Sequence, residues 1–235
     1  MPGADGAVGA DGAVGADGAD GADGAASDRE PGWTAELTPD GATGPIEAGL
    51  DPDYPIRTAR LHLRPWRTDE LDVYHRLRGD PEVATFLYDE PFDRDQARSR
   101  LASARSALTE PGQWMNIAVE VAATGEIAGD VGLCWTSEVH GQADVGYTFF
   151  AEHRGHGYAT EAASAIVDLA FIGLGAHRVC GRIDARNSAS ARVLERLGMR
   201  CEAHFVENEW VKGEWTDEVV YAVLDSEWTR LRNST

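Results

Sequence analysis

The sequence predicts a mixed α/β (α+β) domain behind an acidic extension, and three observations carry that reading. Past residue 51, short period-two runs and amphipathic stretches follow in the order β, helices, β-hairpin, β, α, β, α, β, β. One stretch, from Ala159 to Leu174, carries a single apolar stripe of helical period. Composition changes near residue 51: the first 50 residues hold 12 of the 26 glycines and ten acidic residues against one basic residue, Arg29.

Residues 3–26 repeat Gly-Ala-X eight times, mostly with Asp at X. Glycine at every third position without proline lacks the stiffness of a collagen chain. Only Val8 and Val14 are available to a core, so residues 1–50 read as a disordered acidic tail, with Trp33 as one anchor, and 51–235 as the domain. The net charge of −19 comes with no dominant basic patch, which argues against nucleic-acid binding. No uncharged apolar run reaches the roughly 18–20 residues of a membrane span, and no signal pattern opens the chain. A cytoplasmic protein without membrane contact is the expectation. Cys134, Cys180 and Cys201 are too few and too widely spaced for a disulfide framework or zinc site. All three fall in apolar strand-like runs and read as buried structural thiols. The seven histidines show no ligand spacing, so no metal is expected.

Along the domain, Leu61 and Leu63 alternate within 57–64, a half-buried strand. Thr68 precedes Asp69 and Glu70 as an N-cap, and Leu71, Tyr74 and Leu77 follow at helical spacing. A second helix is expected over 93–108. Runs at 114–121 and 127–135 flank Ala122-Ala-Thr-Gly-Glu126 as a hairpin, and 143–150 is another strand. The striped helix carries Ala159, Ala163, Ile166, Val167, Ala170, Phe171 and Leu174, and Gly175 stops it. A strand at 179–185, a helix at 188–197 ended by Gly198, and strands at 199–210 and 219–225 complete the domain.

The most informative segment is Phe149-Phe-Ala-Glu-His-Arg-Gly-His-Gly-Tyr-Ala-Thr160, which leads a strand through a glycine-containing turn into the striped helix. A helix N-terminus presents unpaired N–H groups and positive partial charge. Glycines let an anion approach those amides, and Arg154 and His156 add positive or protonatable groups. No Gly-Lys-Ser/Thr follows, so this is not a Walker loop, and the dinucleotide spacing is absent. Taken alone, the segment also fits an ordinary strand-to-helix turn.

The wider pattern resembles the GCN5-related N-acetyltransferases. Arg154-x-x-Gly157-x-Ala159 matches their Arg/Gln-x-x-Gly-x-Gly/Ala loop, and Arg-Leu-His-Leu-Arg-Pro at 60–65 is similar to their first strand. Gly146-Tyr147 with 154–162, and Asn187-Ser-Ala-Ser190 with 193–198, look like the ribosomal-protein alanine acetyltransferase (RimJ/RimL-like) branch. The resemblance spans about residues 55–230. It implies a central, mostly antiparallel twisted sheet flanked by helices, with a splayed strand pair at the acetyl-CoA site. It also implies acetyl-CoA as cosubstrate, a primary amine as acceptor, direct attack in a ternary complex, and a homodimer as the family-level assembly.

Residue by residue, the resemblance gives the Phe149 backbone a contact with the pantetheine arm. It gives Arg154 and the amides of Gly155, His156, Gly157, Tyr158, Ala159 and Thr160 the pyrophosphate. Glu161 looks functional by position, although a first-turn carboxylate favouring the helix dipole is the simpler reading. Asn187 reads as a helix cap, and by resemblance as a coenzyme A contact. Ser190, at N3 of the same helix, is implied to donate a proton to the departing thiolate. Glu209, nineteen residues later and followed by Trp210, matches the branch's proposed base, acting through water. Glu207 shares its expected strand face and competes, while Glu120 and Asp144 are weaker alternatives. An α-amine has a pKa of about 7.7–8 and a lysine about 10.4, so an N-terminal amine suits a water-mediated carboxylate. The acidic surface fits aminoglycosides or other small cationic amines equally well, and a non-catalytic acyl-CoA-binding module is a third reading. Lys212-Gly-Glu-Trp215 reads as a hairpin walling the acceptor pocket, with Trp66, Tyr88 and Phe92 opposite.

Overall fold

The described residues form eight strands: β1 (Ile56–Arg57), β2 (Leu61–Pro65), β3 (Trp114–Val121), β4 (Ile127–Ser137), β5 (Gln142–Phe149), β6 (Arg178–Asp184), β7 (Arg200–Val211) and β8 (Glu214–Leu224). They join in one sheet of order β1-β2-β3-β4-β5-β6-β8-β7, antiparallel except for β5 against β6. The computed structural model describes residue 46 and residues 48–233. The expected tail, with its Trp33 anchor, lies outside the described residues as far as residue 45. Ile46 and Leu50, however, are 2% and 6% exposed in the main core, and Leu50 bridges Leu108. Packed chain therefore begins upstream of the boundary expected at 51.

Six helices cover the sheet: α1 (Leu71–Arg78), α2 (Pro81–Ala84), α3 (Arg94–Ser103), α4 (Tyr158–Asp168), α5 (Ser188–Arg196) and α6 (Asp225–Asn233). Strand alternation assigns the layers. Ile117 and Val119 of β3 share a core with Ala163 and Ile166 of α4, while Ala118 joins Leu77 of α1 and Leu101 of α3 on the other face. The α4 stripe buries Ala162, Ala163, Ile166 and Val167, then loosens into a π turn over Leu169–Gly173. Gly175, at φ +75, ends it.

Two helix expectations need correction. Thr68 does not cap α1, because a 3-10 turn over Thr68–Glu70 precedes the helix and the Arg67 N–H donates to Glu70 at 2.8 Å. The second helix stops at Ser103 rather than 108, leaving Leu108 to bridge Leu50. Its start is as read, with Asp93 accepting from the Asp95 and Gln96 amides in a capping box. No helix among the described residues is long and apolar enough to cross a membrane.

One irregularity shapes the functional end. β5 and β6 pair only through Gln142–Arg178, Ala143–Val179 and Asp144–Cys180. Beyond that, β5 stays paired with β4 as far as Phe149 and β6 with β8 as far as Asp184, so the two strands part into a V. This is the splayed pair that the resemblance implies. Gly129 makes the β4 side of the V possible. A Cβ there would lie 2.0 Å from the Thr148 carbonyl oxygen and 2.8 Å from the Phe149 Cα. Backbone cannot yield as a side chain can, so Gly129→Ala is expected to cost about 1–3 kcal/mol or more, read as a lower denaturant midpoint with unchanged slope.

Candidate active site

The V opens onto a cleft of about 470 Å³ bounded by β5, the turn before α4 and the first turns of α5. Gly155 and Gly157 both take left-handed φ, +78 and +80, and Gly157 is the N-cap of α4. The first helical bond runs from the Glu161 N–H to the Gly157 carbonyl at 3.1 Å, so the amides of residues 158–160 precede the ladder. The buried Thr160 hydroxyl has no protein partner. Open space at Gly155 and free amides at a helix N-terminus fit a pyrophosphate.

Phe149, Arg154, Gly155, Gly157, Tyr158, Ala159, Asn187 and Ser190 all line this cleft. His156 does not: it is exposed, stacks on Tyr158 at 5.5 Å and borders a groove on the far side of the turn. Thr160 also lies behind the lining. Arg154 donates to Glu82 of α2 at 2.5 Å, so its charge is partly committed. Glu161 faces the β1–β2 turn and accepts from Thr58 Oγ1 at 2.6 Å and from Arg60 N and Nε at 2.7 Å each. Burial opposes its charge, but these hydrogen bonds hold its carboxyl below the ordinary range. Arg60 also donates to the His156 carbonyl at 2.8 Å and lies 4.9 Å over the Tyr158 ring. Glu161 thus fastens the loop from behind.

At the inner end, buried Asn187 caps α5, its side chain accepting from the Ser190 N–H at 3.0 Å. Ser190 is 4% exposed, and its carbonyl accepts from the Tyr147 hydroxyl at 3.0 Å. Tyr147 lines the same cleft, and burial raises its phenol pKa although the Ser190 contact lowers it.

Glu209 lines a smaller neighbouring cavity with Tyr88, Lys212, Thr216 and Glu218. Phe86 borders both cavities, so Ser190 and Glu209 occupy adjoining spaces rather than one. Burial pushes the Glu209 carboxyl up, a hydrogen bond from the Tyr88 phenol and the charge of Arg182 pull it down, and Glu218 pushes it up again; the net shift is upward. Glu207 does not share that face. β7 slips register between Phe205 and Glu209, and Glu207 stands exposed in the bulge at φ +49. Its N–H donates to Asp217 at 2.9 Å.

Asp144 sits at the fork of the V, 4% exposed and 3.3 Å from Arg182; burial, against the pull of Arg182, pushes it up to about 6. Glu120 pairs with Arg64 at 2.8 Å. The β7–β8 turn closes as expected, with Lys212 at φ +50 and Gly213 at φ +86. It docks on the helical layer through Lys212 Nζ and the Ala84 carbonyl. Of the expected aromatic wall only Tyr88 lines the cavity. Trp66 and Phe92 are packed in the α1–α3 core. Cys134 and Cys180 are buried, but Cys201 is exposed on the outer strand, which corrects its reading as a buried thiol. Arg60 and Glu82 reach the site across the fold, with no local sequence signal that marks them as site residues. Tyr147 had one signal, its place beside Gly146 in the resemblance.

An acetyltransferase (GNAT) domain profile matches residues 60–200. The uncharacterized N-acetyltransferase p20 of Bacillus licheniformis is 29% identical over 174 residues, 74% of this chain and 97% of that protein. The putative ribosomal N-acetyltransferase YdaF of Bacillus subtilis is 31% identical over 104 residues, 44% of this chain and 57% of that protein. A GNAT-family acetyltransferase structure from Bacillus anthracis superposes with a TM-score of 0.67 at 26% identity, over 73% of this chain and 99% of that one. Spermidine N-acetyltransferase from Vibrio cholerae, solved with CoA and spermine, shares the fold at a TM-score of 0.62 and 21% identity, over 73% and 99% of the two chains. With the family profile across more than half of its length, the chain belongs to the GNAT acetyltransferases, whose acetyl donor is acetyl-CoA, and it is an N-acetyltransferase.

Proposed function

We propose that the chain acetylates a protein N-terminal α-amine, with Glu209 as base and Ser190 as acid. Bound acetyl-CoA would supply an activated acetyl thioester. The amides of residues 155–160 would hold its pyrophosphate, and Arg154 would stand beside it. The edge of β5 at Phe149, left without a strand partner by the V, would pair with the pantetheine arm, and Asn187 would contact the coenzyme while capping α5. Glu209 takes a proton from the acceptor ammonium through water. Ser190 Oγ holds a proton for the thiolate. The observation that carries this reading is the place of Glu209, half-buried beside Tyr88 in a cavity that shares Phe86 with the Ser190 cleft, where burial pushes its carboxyl up. A carboxylate so tuned needs to remove a proton only from an amine of pKa about 8.

A second reading has its own support. Asp184, Glu214, Asp217 and Glu218 line the same cavity as Glu209, outnumbering Arg186 and Lys212. That charge suits a small polycationic amine, of the kind named for the Vibrio cholerae protein. Acetyl-CoA consumption against N-terminal peptides, the same peptides N-blocked, spermidine and aminoglycosides separates the two. The α-amine reading expects the highest kcat/KM with free N-terminal peptides. Preference for spermidine or an aminoglycoside overturns it.

A further inference from the structure

Four ionisable side chains form a row across four neighbouring strands, on the sheet face turned to the loop after α2. Asp144 of β5 pairs in register with Cys180 of β6, and Arg182 is the next residue on that face of β6. Glu218 lies two residues before Val220, the β8 partner of Arg182, and two after Thr216, the β8 partner of Glu209 on β7. Side chains placed in this way are opposite or diagonal neighbours. The row therefore reads Asp144, Arg182, Glu218, Glu209, following the strand order β5-β6-β8-β7. It ends at the Tyr88 phenol, which donates to Glu209. Within the row Arg182 alone is cationic.

Arg182 reaches both of its neighbours. Its Nε donates to Asp144 at 3.3 Å, and its Nη1 donates to the two Glu218 oxygens at 3.3 and 3.4 Å. Both carboxylates are buried, and Asn208 Nδ2 donates a further bond to Glu218 at 3.1 Å. The join lies just past the Asp144–Cys180 pair, where β5 and β6 part, so the guanidinium holds one strand from each arm of the V. The other charges around Glu209 are engaged elsewhere. Lys212 Nζ donates to the Ala84 carbonyl, Arg186 pairs with Asp184 at 2.6 Å and Glu214 at 2.8 Å, and Asp217 pairs with His204 at 2.8 Å. Arg186, Glu214 and His204 are exposed, so water and salt screen their fields. Behind Arg182, Arg178 is held by Glu202, and burial pushes the Cys180 thiol up to about 11, which keeps it neutral.

We propose that Arg182 is a positioning residue for Glu209: it holds Glu218 in the row and supplies the cation against which Glu209 carries its charge. The inference rests on Glu209 as the base. Burial raises the Glu209 carboxyl and the Tyr88 phenol lowers it; of the charges, Glu218 raises it and Arg182 lowers it. The buried Glu218 carboxylate opposes the ionised base, and Arg182 offsets that repulsion.

The test is a pH titration of the Glu209 carboxyl by 13C NMR of the full chain labelled at glutamate carboxyls, with the resonance assigned by Glu209→Gln. Glu218→Gln keeps the shape and the bonds from Arg182 and Asn208 but removes a negative charge. It is expected to lower the Glu209 midpoint by about one pH unit. In the Glu218→Gln protein, Arg182→Lys keeps the cation beside Asp144 and is expected to leave the midpoint low. Arg182→Met in the same protein is expected to bring it back up by a comparable amount. Asp144 then takes up a proton, so this variant strands no buried charge and remains able to fold. The acid limb of kcat/KM should follow the same order. If Glu218→Gln leaves the Glu209 midpoint in place, or if the Lys and Met variants titrate alike, the proposal is overturned. If the carboxyl midpoints move as expected and the limb of kcat/KM does not follow, Arg182 still sets the charge of Glu209, and the reading that fails is Glu209 as base.

Discussion

Replacing Arg78 with methionine is expected to destabilise the domain by about 3–5 kcal/mol, because it strands a buried carboxylate. The Arg78 and Asp130 side chains are 3% and 1% exposed and meet at 2.8 Å between α1 and β4. Burial already pushes the Asp130 carboxyl up, and Arg78 is the charge that opposes it. Without that charge Asp130 takes up a proton on folding. Its folded pKa then lies above its unfolded one, so the folded state binds the extra proton and stability falls as pH rises between the two. The deficit of Arg78→Met, measured from urea midpoints, should therefore be smaller at pH 5.5 than at pH 8. Arg78→Met combined with Asp130→Leu removes both charges and should recover much of the loss. A deficit that does not change with pH, and is not relieved by the second substitution, would mean that lost packing rather than charge sets the cost.

The elements legible from sequence are those whose periodicity survives burial on one or both faces. β3, β4 and β5 lie within about two residues of their expected positions, and the α4 stripe faces the sheet as read. The glycine turn before α4 is legible because its left-handed backbone is written in the positions of Gly155 and Gly157 ahead of a helix. Short or polar elements were not. α2 is four residues long, and α6 buries only Trp228. Cys201 falls in an apolar strand-like run and yet is exposed, because β7 is an edge strand open to solvent. Glu207 and Glu209 could not be separated from spacing, since a bulge breaks the period-two rule where it mattered. Glu161–Arg60 and Glu209–Tyr88 join residues about a hundred positions apart. Local pattern carries no information about such pairs; the sheet order that brings them together does.

Glu209→Gln is expected to lower kcat/KM by about 10²–10⁴ with little change in stability, if Glu209 is the base proposed above. The amide keeps the shape and can still accept from Tyr88, so what is lost is the proton acceptor. The pH profile gives the stronger test. In the parent enzyme two ionisations shape the rising limb: deprotonation of the acceptor amine, and that of Glu209, which burial and Glu218 hold above the ordinary glutamate range. In Glu209→Gln the lower ionisation disappears and the residual activity should follow the amine alone. Tyr88→Phe moves the limb in a defined direction. The Tyr88 hydrogen bond stabilises the carboxylate and lowers its pKa; removing it shifts the acid limb to higher pH while leaving activity at the plateau largely intact. A residue that merely packed against Tyr88 would lose activity at every pH alike, without moving the limb. Glu207→Gln, altering an exposed side chain in the bulge, should leave both rate and profile unchanged. If Glu207→Gln reproduces the loss and Glu209→Gln does not, the base lies two residues earlier, and the β7 bulge must rearrange when substrate binds.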